Sequence, residues 1–188
     1  MKIILASQSL FRKRAFDILG LQCETLPSAF DEKSIRANDP HELARRLSES
    51  KAMTVGEKHV DAIIVAADLF IVMNHKIYEK PKDLNEAFHM LKSFSGKELE
   101  IISGIAVFNS KTQKMLSTST TCRAKFRELG DDEIKDYISR YPVLKFAAAF
   151  DGDGLLRFAE CINGSLNFLT GLPVDKLIDF LREQGVKV

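Results

Sequence analysis

A single carboxylate interrupts an otherwise apolar run of the chain. Residues 62–73 read Ala-Ile-Ile-Val-Ala-Ala-Asp-Leu-Phe-Ile-Val-Met, with Asp68 in their midst. The β-branched and aromatic content and the absence of a helical period predict a buried strand. Taking an ionised carboxylate out of water costs several kcal/mol unless it is paired, hydrogen-bonded or metal-bound. Two readings account for an acid there. It caps amides at a turn or bulge, or it ends a strand and is aimed into a cleft to do chemistry. Basic and hydroxyl residues elsewhere in the chain favour the second.

At 188 residues the chain is expected to form one domain over 1–188, single or built of two closely packed lobes, with room for a substantial core. The net charge of +1 supplies no global field for nucleic acid or an anionic membrane, so neither is an expected partner. Cys23, Cys122 and Cys161 are odd in number and far apart, which fits reduced thiols and not a disulfide framework or a zinc site. Ile3 to Ala6 is apolar, but Ser7-Gln8-Ser9 follows at once, too soon for a signal segment or a membrane span. The expected location is the cytoplasm, and a homodimer is the common state for such a protein.

Periodicity and punctuation predict an alternating start. A strand at Lys2–Ala6 precedes a helix at Leu10–Leu19, capped by Ser9 and closed by Gly20. A strand near Cys23–Leu26 leads through Asp31-Glu32 to a helix from Pro40 to Gly56. After the Asp68 strand comes a turn at Asn74-His75, then a helix opened by a capping box at Asp83–Glu86. Leu99–Asn109 and Met115–Phe126 read as an antiparallel pair joined near Ser110. A helix from Asp131, a strand at Leu155–Phe158 and a helix at Val174–Gln184 complete a mixed-sheet α/β protein.

Four groups of residues carry chemistry. Ser7, Ser9 and Arg12 stand at a strand-to-helix junction, where unpaired amides and the helix dipole favour an anion. They offer a phosphate cradle without the glycines and lysine of a P-loop, which the chain lacks. Asp31-Glu32, with Asp68, offers carboxylates for Mg²⁺. Lys51, Lys80 and Lys97 are spaced cations, and Pro81 holds Lys80 in extended backbone. Finally, Asp151-Gly152-Asp153-Gly154 follows a run of alanines and Phe150. Its later positions, Leu155 and Ile162, carry no side-chain oxygen, which excludes an EF-hand calcium loop. It reads as an acidic turn, either solvated or able to accept from the N–H groups of a base.

In this order, the segments Leu5-Ala6-Ser7-x-Ser9 with Arg12, Asp31-Glu32, Lys51-Ala52, Ala67-Asp68, Lys80-Pro81, Ser95-Gly96, Asp132-Glu133-Ile134 with Tyr137, Ile162-x-Gly164 and Gly171-Leu172-Pro173 resemble the Maf family of nucleoside triphosphate pyrophosphatases nearly end to end. The resemblance implies a two-lobed α/β/α fold around a curved mixed β-sheet with a central nucleotide cleft. It implies metal-dependent cleavage between the α and β phosphates, with Mg²⁺ or Mn²⁺ held by Glu32 and Asp68. Asp68 matches the proton acceptor. Ser7, Ser9, Arg12, Lys51 and Lys80 would bind the triphosphate, and Phe11, Leu69 and Asp153 match the positions that tune the base.

Those three positions separate two branches of the family. The branch acting on dTTP and UTP usually has Arg, Thr and Gln there, and the branch acting on 7-methyl-GTP has Trp, Gln and Glu. Phe11 and Asp153 are conservative versions of the second set, because an aromatic face stacks on a methylated cationic purine. The expected substrate is therefore 7-methyl-GTP. Leu69 fits neither branch, which keeps open a dTTP/UTP pyrophosphatase and a weakly catalytic nucleotide-binding regulator of cell division.

Overall fold

The computed structural model describes Met1–Val188. Seven strands form one mixed sheet in the order β2-β1-β3-β5-β6-β7, with β4 paired to β3. The strands are β1 (Lys2–Leu5), β2 (Glu24–Thr25), β3 (Ala62–Met73), β4 (Lys76–Tyr78), β5 (Glu98–Asn109), β6 (Lys114–Phe126) and β7 (Ala159–Gly164). The helices are α1 (Leu10–Ile18), α2 (Pro40–Gly56), α3 (Leu84–Phe94), α4 (Asp131–Arg140), α5 (Gly152–Phe158), α6 (Asn167–Thr170) and α7 (Val174–Glu183). No helix is long and apolar enough to cross a membrane.

The chain divides into two compact units. Unit 1 holds residues 1–69, 102–120 and 170–188, and unit 2 holds 70–101 and 121–169.

In unit 1, β1 lies parallel to both β2 and β3, with Ile3 beside Ile63 and Leu5 beside Val65. Strand alternation sends Ile3, Leu5, Ile63, Val65 and Ala67 to one face, where they pack with Phe16 of α1 and Leu177 and Leu181 of α7. Ile4, Ile64 and Ala66 face the other way, against Ala52 and Val55 of α2. Both faces are covered, which is why β1 after Lys2 and β3 as far as Ala67 are continuously apolar. A Cβ at Gly104 would lie 2.1 Å from the Ala44 carbonyl, so only glycine lets α2 approach β5 this closely.

Unit 2 is built around aromatic rings. Phe126 packs against Phe94, Phe150 and Phe158 at centroid distances of 6.0, 5.4 and 5.8 Å. Such pairs each contribute roughly 0.5–1.5 kcal/mol beyond the area they bury. The β3–β4 hairpin turns at Asn74 and His75, both at positive φ (52° and 63°), as a tight two-residue turn requires.

Two expectations need correction. Leu155–Phe158 is not a strand but the end of α5, and the strand follows as β7. The Asp151 side chain accepts from the Gly154 N–H and nucleates the helix, which buries Leu155 and Phe158 three residues apart. Asp68 also does not end a strand: β3 continues five residues past it, to Met73. Elsewhere boundaries agree closely, α2 at both ends. At α3 the Asp83 carboxylate accepts from Glu86 N as expected, but the returning Glu86 carboxylate accepts from Lys82 N, one residue early.

Candidate active site

In unit 1 the helix α1 begins with a set of local hydrogen bonds. Ser9 caps the helix by accepting from Arg12 N at 3.4 Å. The Ser7 hydroxyl accepts from Ser9 N at 3.1 Å and from Arg12 Nη1 at 3.3 Å. Arg12 Nε donates to the Gly171 carbonyl at 3.2 Å, so the loop before α7 holds the guanidinium over the helix start. Burial lowers the Arg12 pKa from its ordinary value, and the charges of Asp68 and Glu32 oppose that shift. The guanidinium therefore lies within the field of both carboxylates.

Lys51 comes from α2 and is 7% exposed. Its Nζ lies 2.7 Å from Asp68 Oδ2 and 2.8 Å from Glu32 Oε1. The second Asp68 oxygen, Oδ1, accepts from Leu69 N at 2.9 Å. The buried carboxylate is thus compensated on both oxygens, as its desolvation requires. Asp31, by contrast, is spent on local structure: its side chain caps the short turn at Glu32–Ser34 by accepting from Lys33 N. That turn leaves the Glu32 side chain 59% exposed and free to reach Lys51.

Two carboxylate oxygens converging on one cation fit a hard divalent ion whose other ligands are water and phosphate oxygen. No group of three or more His, Cys, Asp or Glu residues gathers to make an all-protein metal cage. With Asp68 and Glu32 alone, a divalent ion would need its remaining oxygens from water or phosphate.

Phe11 and Leu69 are half-buried in unit 1. Lys80 and Asp153 belong to unit 2, and both are exposed. The backbone before Lys80 is tied down by Ala148 N donating to the Glu79 carbonyl at 3.0 Å. Asp153 stands in the first turn of α5, between the capping residue Asp151 and Gly154. The link between Tyr137 and Asp151, at 3.5 Å, carried no local signal beyond a tyrosine in an apolar helix face.

A family model described as "Maf-like protein" matches residues 2–184. The chain belongs to this family. Among curated relatives, a dTTP/UTP pyrophosphatase of Aquifex aeolicus is 33% identical over 184 residues, covering 97% of this chain and 95% of that protein. A dTTP/UTP pyrophosphatase of Clostridium botulinum is 36% identical over 186 residues, covering 97% and 99%. Among solved structures, the Staphylococcus aureus Ham1 protein superposes with a TM-score of 0.51 at 15% identity, covering 98% of this chain and all of that one. That likeness concerns the fold alone. Ser7, Ser9, Arg12, Glu32, Lys51 and Asp68, six of the residues that carry the family resemblance, all lie in unit 1.

Proposed function

We propose that this protein hydrolyses the α–β phosphoanhydride of a nucleoside triphosphate, giving a monophosphate and pyrophosphate. The observation that carries this reading is the Lys51 ammonium held between Asp68 and Glu32, with Arg12 and Ser7 at the α1 N-terminus. Membership of the Maf-like family and the names of the relatives support it.

Asp68 acts as the base. One carboxylate oxygen takes a proton from the attacking water as its oxygen bonds to the α-phosphorus, and the bond to the bridging oxygen of the leaving pyrophosphate breaks. Lys51, already aligned by Asp68, is a cation available to offset the phosphate charge that develops. Arg12 and the hydroxyls of Ser7 and Ser9 offer donors at a helix start, where a phosphate is favoured. A divalent cation such as Mg²⁺ or Mn²⁺, held by Glu32 and Asp68, would supply polarisation of a phosphate oxygen. Lys80 and Asp153, which the family resemblance assigns to phosphate and base, form no ion pair and are free for those roles.

For the base, the relatives' names support dTTP and UTP. The Asp153 carboxylate would accept the N3–H of a uracil or thymine ring. A second reading, 7-methyl-GTP, is favoured by the aromatic Phe11 together with Asp153, which would accept from a guanine edge. Pyrophosphate release from dTTP, UTP, 7-methyl-GTP, GTP and CTP tests both. Fastest turnover of dTTP and UTP supports the first reading, fastest turnover of 7-methyl-GTP the second. Binding without release would support the nucleotide-binding regulator.

A further inference from the structure

We infer that Tyr137 is a positioning residue that fixes the Asp153 turn and, through the adjoining segment, the backbone that presents Lys80. The inference rests on the nucleotide reading above and concerns unit 2 alone.

Tyr137 is fully buried on α4, stacked on Tyr141 at 4.6 Å and edge-on to Phe158 at 4.7 Å. A phenylalanine would make both ring contacts, so packing does not account for the hydroxyl. A phenol hydroxyl taken into a core needs a partner. It finds one in Asp151 Oδ1 at 3.5 Å, a long hydrogen bond that shares its acceptor with the shorter one from Gly154 N at 2.8 Å. Gly154 is what admits it: a Cβ there would lie 2.2 Å from the Tyr137 hydroxyl oxygen. Burial first, then the Asp151 charge, raises the phenol well above its ordinary pKa, so it stays a donor at any working pH.

The segment leading to this cap is strained. Ala148 and Ala149 are fully buried at φ of 56° and 66°. Left-handed backbone at a residue other than glycine is costly and persists only where neighbours over-determine it. Ala148 N is tied to the Glu79 carbonyl at one end, and Asp151 to Tyr137 and Gly154 at the other. The two unpaired charges flank these fixed points: Lys80 follows Glu79, and Asp153 precedes Gly154. A carboxylate reads a base edge only if held in place, and Tyr137 supplies the hold from below.

The test is a cycle of wild type, Tyr137→Phe, Asp153→Asn and the double variant. Calorimetry would give the affinity of each for α,β-methylene analogues of dTTP, UTP and GTP, and hydrogen exchange would follow the Gly154 amide. Tyr137→Phe is expected to cut the ratio between best and worst base by about 5–10-fold, a change of about 1–1.4 kcal/mol. Asp153→Asn should do the same, and the double variant should be no worse than either. The Gly154 amide should exchange about 10-fold faster in Tyr137→Phe. Asp151→Ala offers a second route to the same two losses, and Asp151→Asn, which keeps an acceptor oxygen, should restore them. Unchanged base ratios and Gly154 exchange, or an equal loss for all bases that persists without Asp153, would overturn the inference. Wild-type protein that binds none of the analogues would instead contradict the proposed function.

Discussion

Lys51 and Asp68, 17 residues apart in the chain, meet as a buried ion pair with Nζ 2.7 Å from Oδ2. A pair buried this way is held by mutual need, because removing one partner strands the other away from water. Lys51→Met is expected to destabilise the fold by about 3 kcal/mol. Adding Asp68→Asn should recover about 1–2 kcal/mol, since an uncharged side chain no longer needs the ammonium. Urea denaturation of the four proteins measures this. Strictly additive effects would show that the pair is not coupled.

Relief of strain at Ala148 is expected to stabilise the protein. Glycine adopts φ of 56° without a Cβ penalty, so Ala148→Gly should add about 1 kcal/mol despite the greater freedom of its unfolded chain. That corresponds to a rise of about 2–4 °C in thermal midpoint for a chain of this size. An unchanged or lower midpoint in calorimetry would mean that the surrounding contacts, not the backbone, set the energy of this turn.

Acid sensitivity should appear at Glu133. A hydrogen bond from Arg127 at 2.9 Å holds this carboxyl below its usual range, and partial burial opposes the shift. A pKa depressed by folding contributes stability above the unfolded value, about 4.3, and loses it as pH falls through the folded one. The pair is largely solvent-screened, so Glu133→Gln should cost at most about 1 kcal/mol at pH 7. The difference between the two proteins should close below about pH 4, measured by thermal melts across pH. A difference that persists in acid would point to packing and not charge.

Much of the fold was legible because local chemistry and tertiary context agree. Ser9 and Asp83 both cap the helices they precede, and Pro40 opens α2 as its fixed φ allows. Leu155-Leu156-Arg157-Phe158 was not legible as helix, because a short apolar run suits either structure until a cap decides it. The strand β4 and the short helix α6 are too brief to carry a period. In the site, residue types pointed to Ser7, Arg12, Glu32, Lys51 and Asp68, but the pairings were hidden. Nothing in the spacing tells that Lys51 bridges Asp68 and Glu32, that Asp31 serves only as a cap, or that Tyr137 reaches Asp151. Those are contacts between elements, which no local pattern encodes.

The central claim is that Asp68 takes the proton from the attacking water. Pyrophosphate release from dTTP and UTP with Mg²⁺, compared between wild type and Asp68→Asn, tests it most directly. The substitution keeps the size of the side chain and the carbonyl oxygen that can accept from Leu69 N, and Glu32 still faces the Lys51 ammonium. The protein should therefore fold with reduced stability, which a melt and single-turnover rates at saturating nucleotide and Mg²⁺ separate from the chemical step. Turnover is predicted to fall by about 10²–10⁴-fold, the usual contribution of a general base. An Asp68→Asn protein that turns over within a few-fold of wild type would contradict the account.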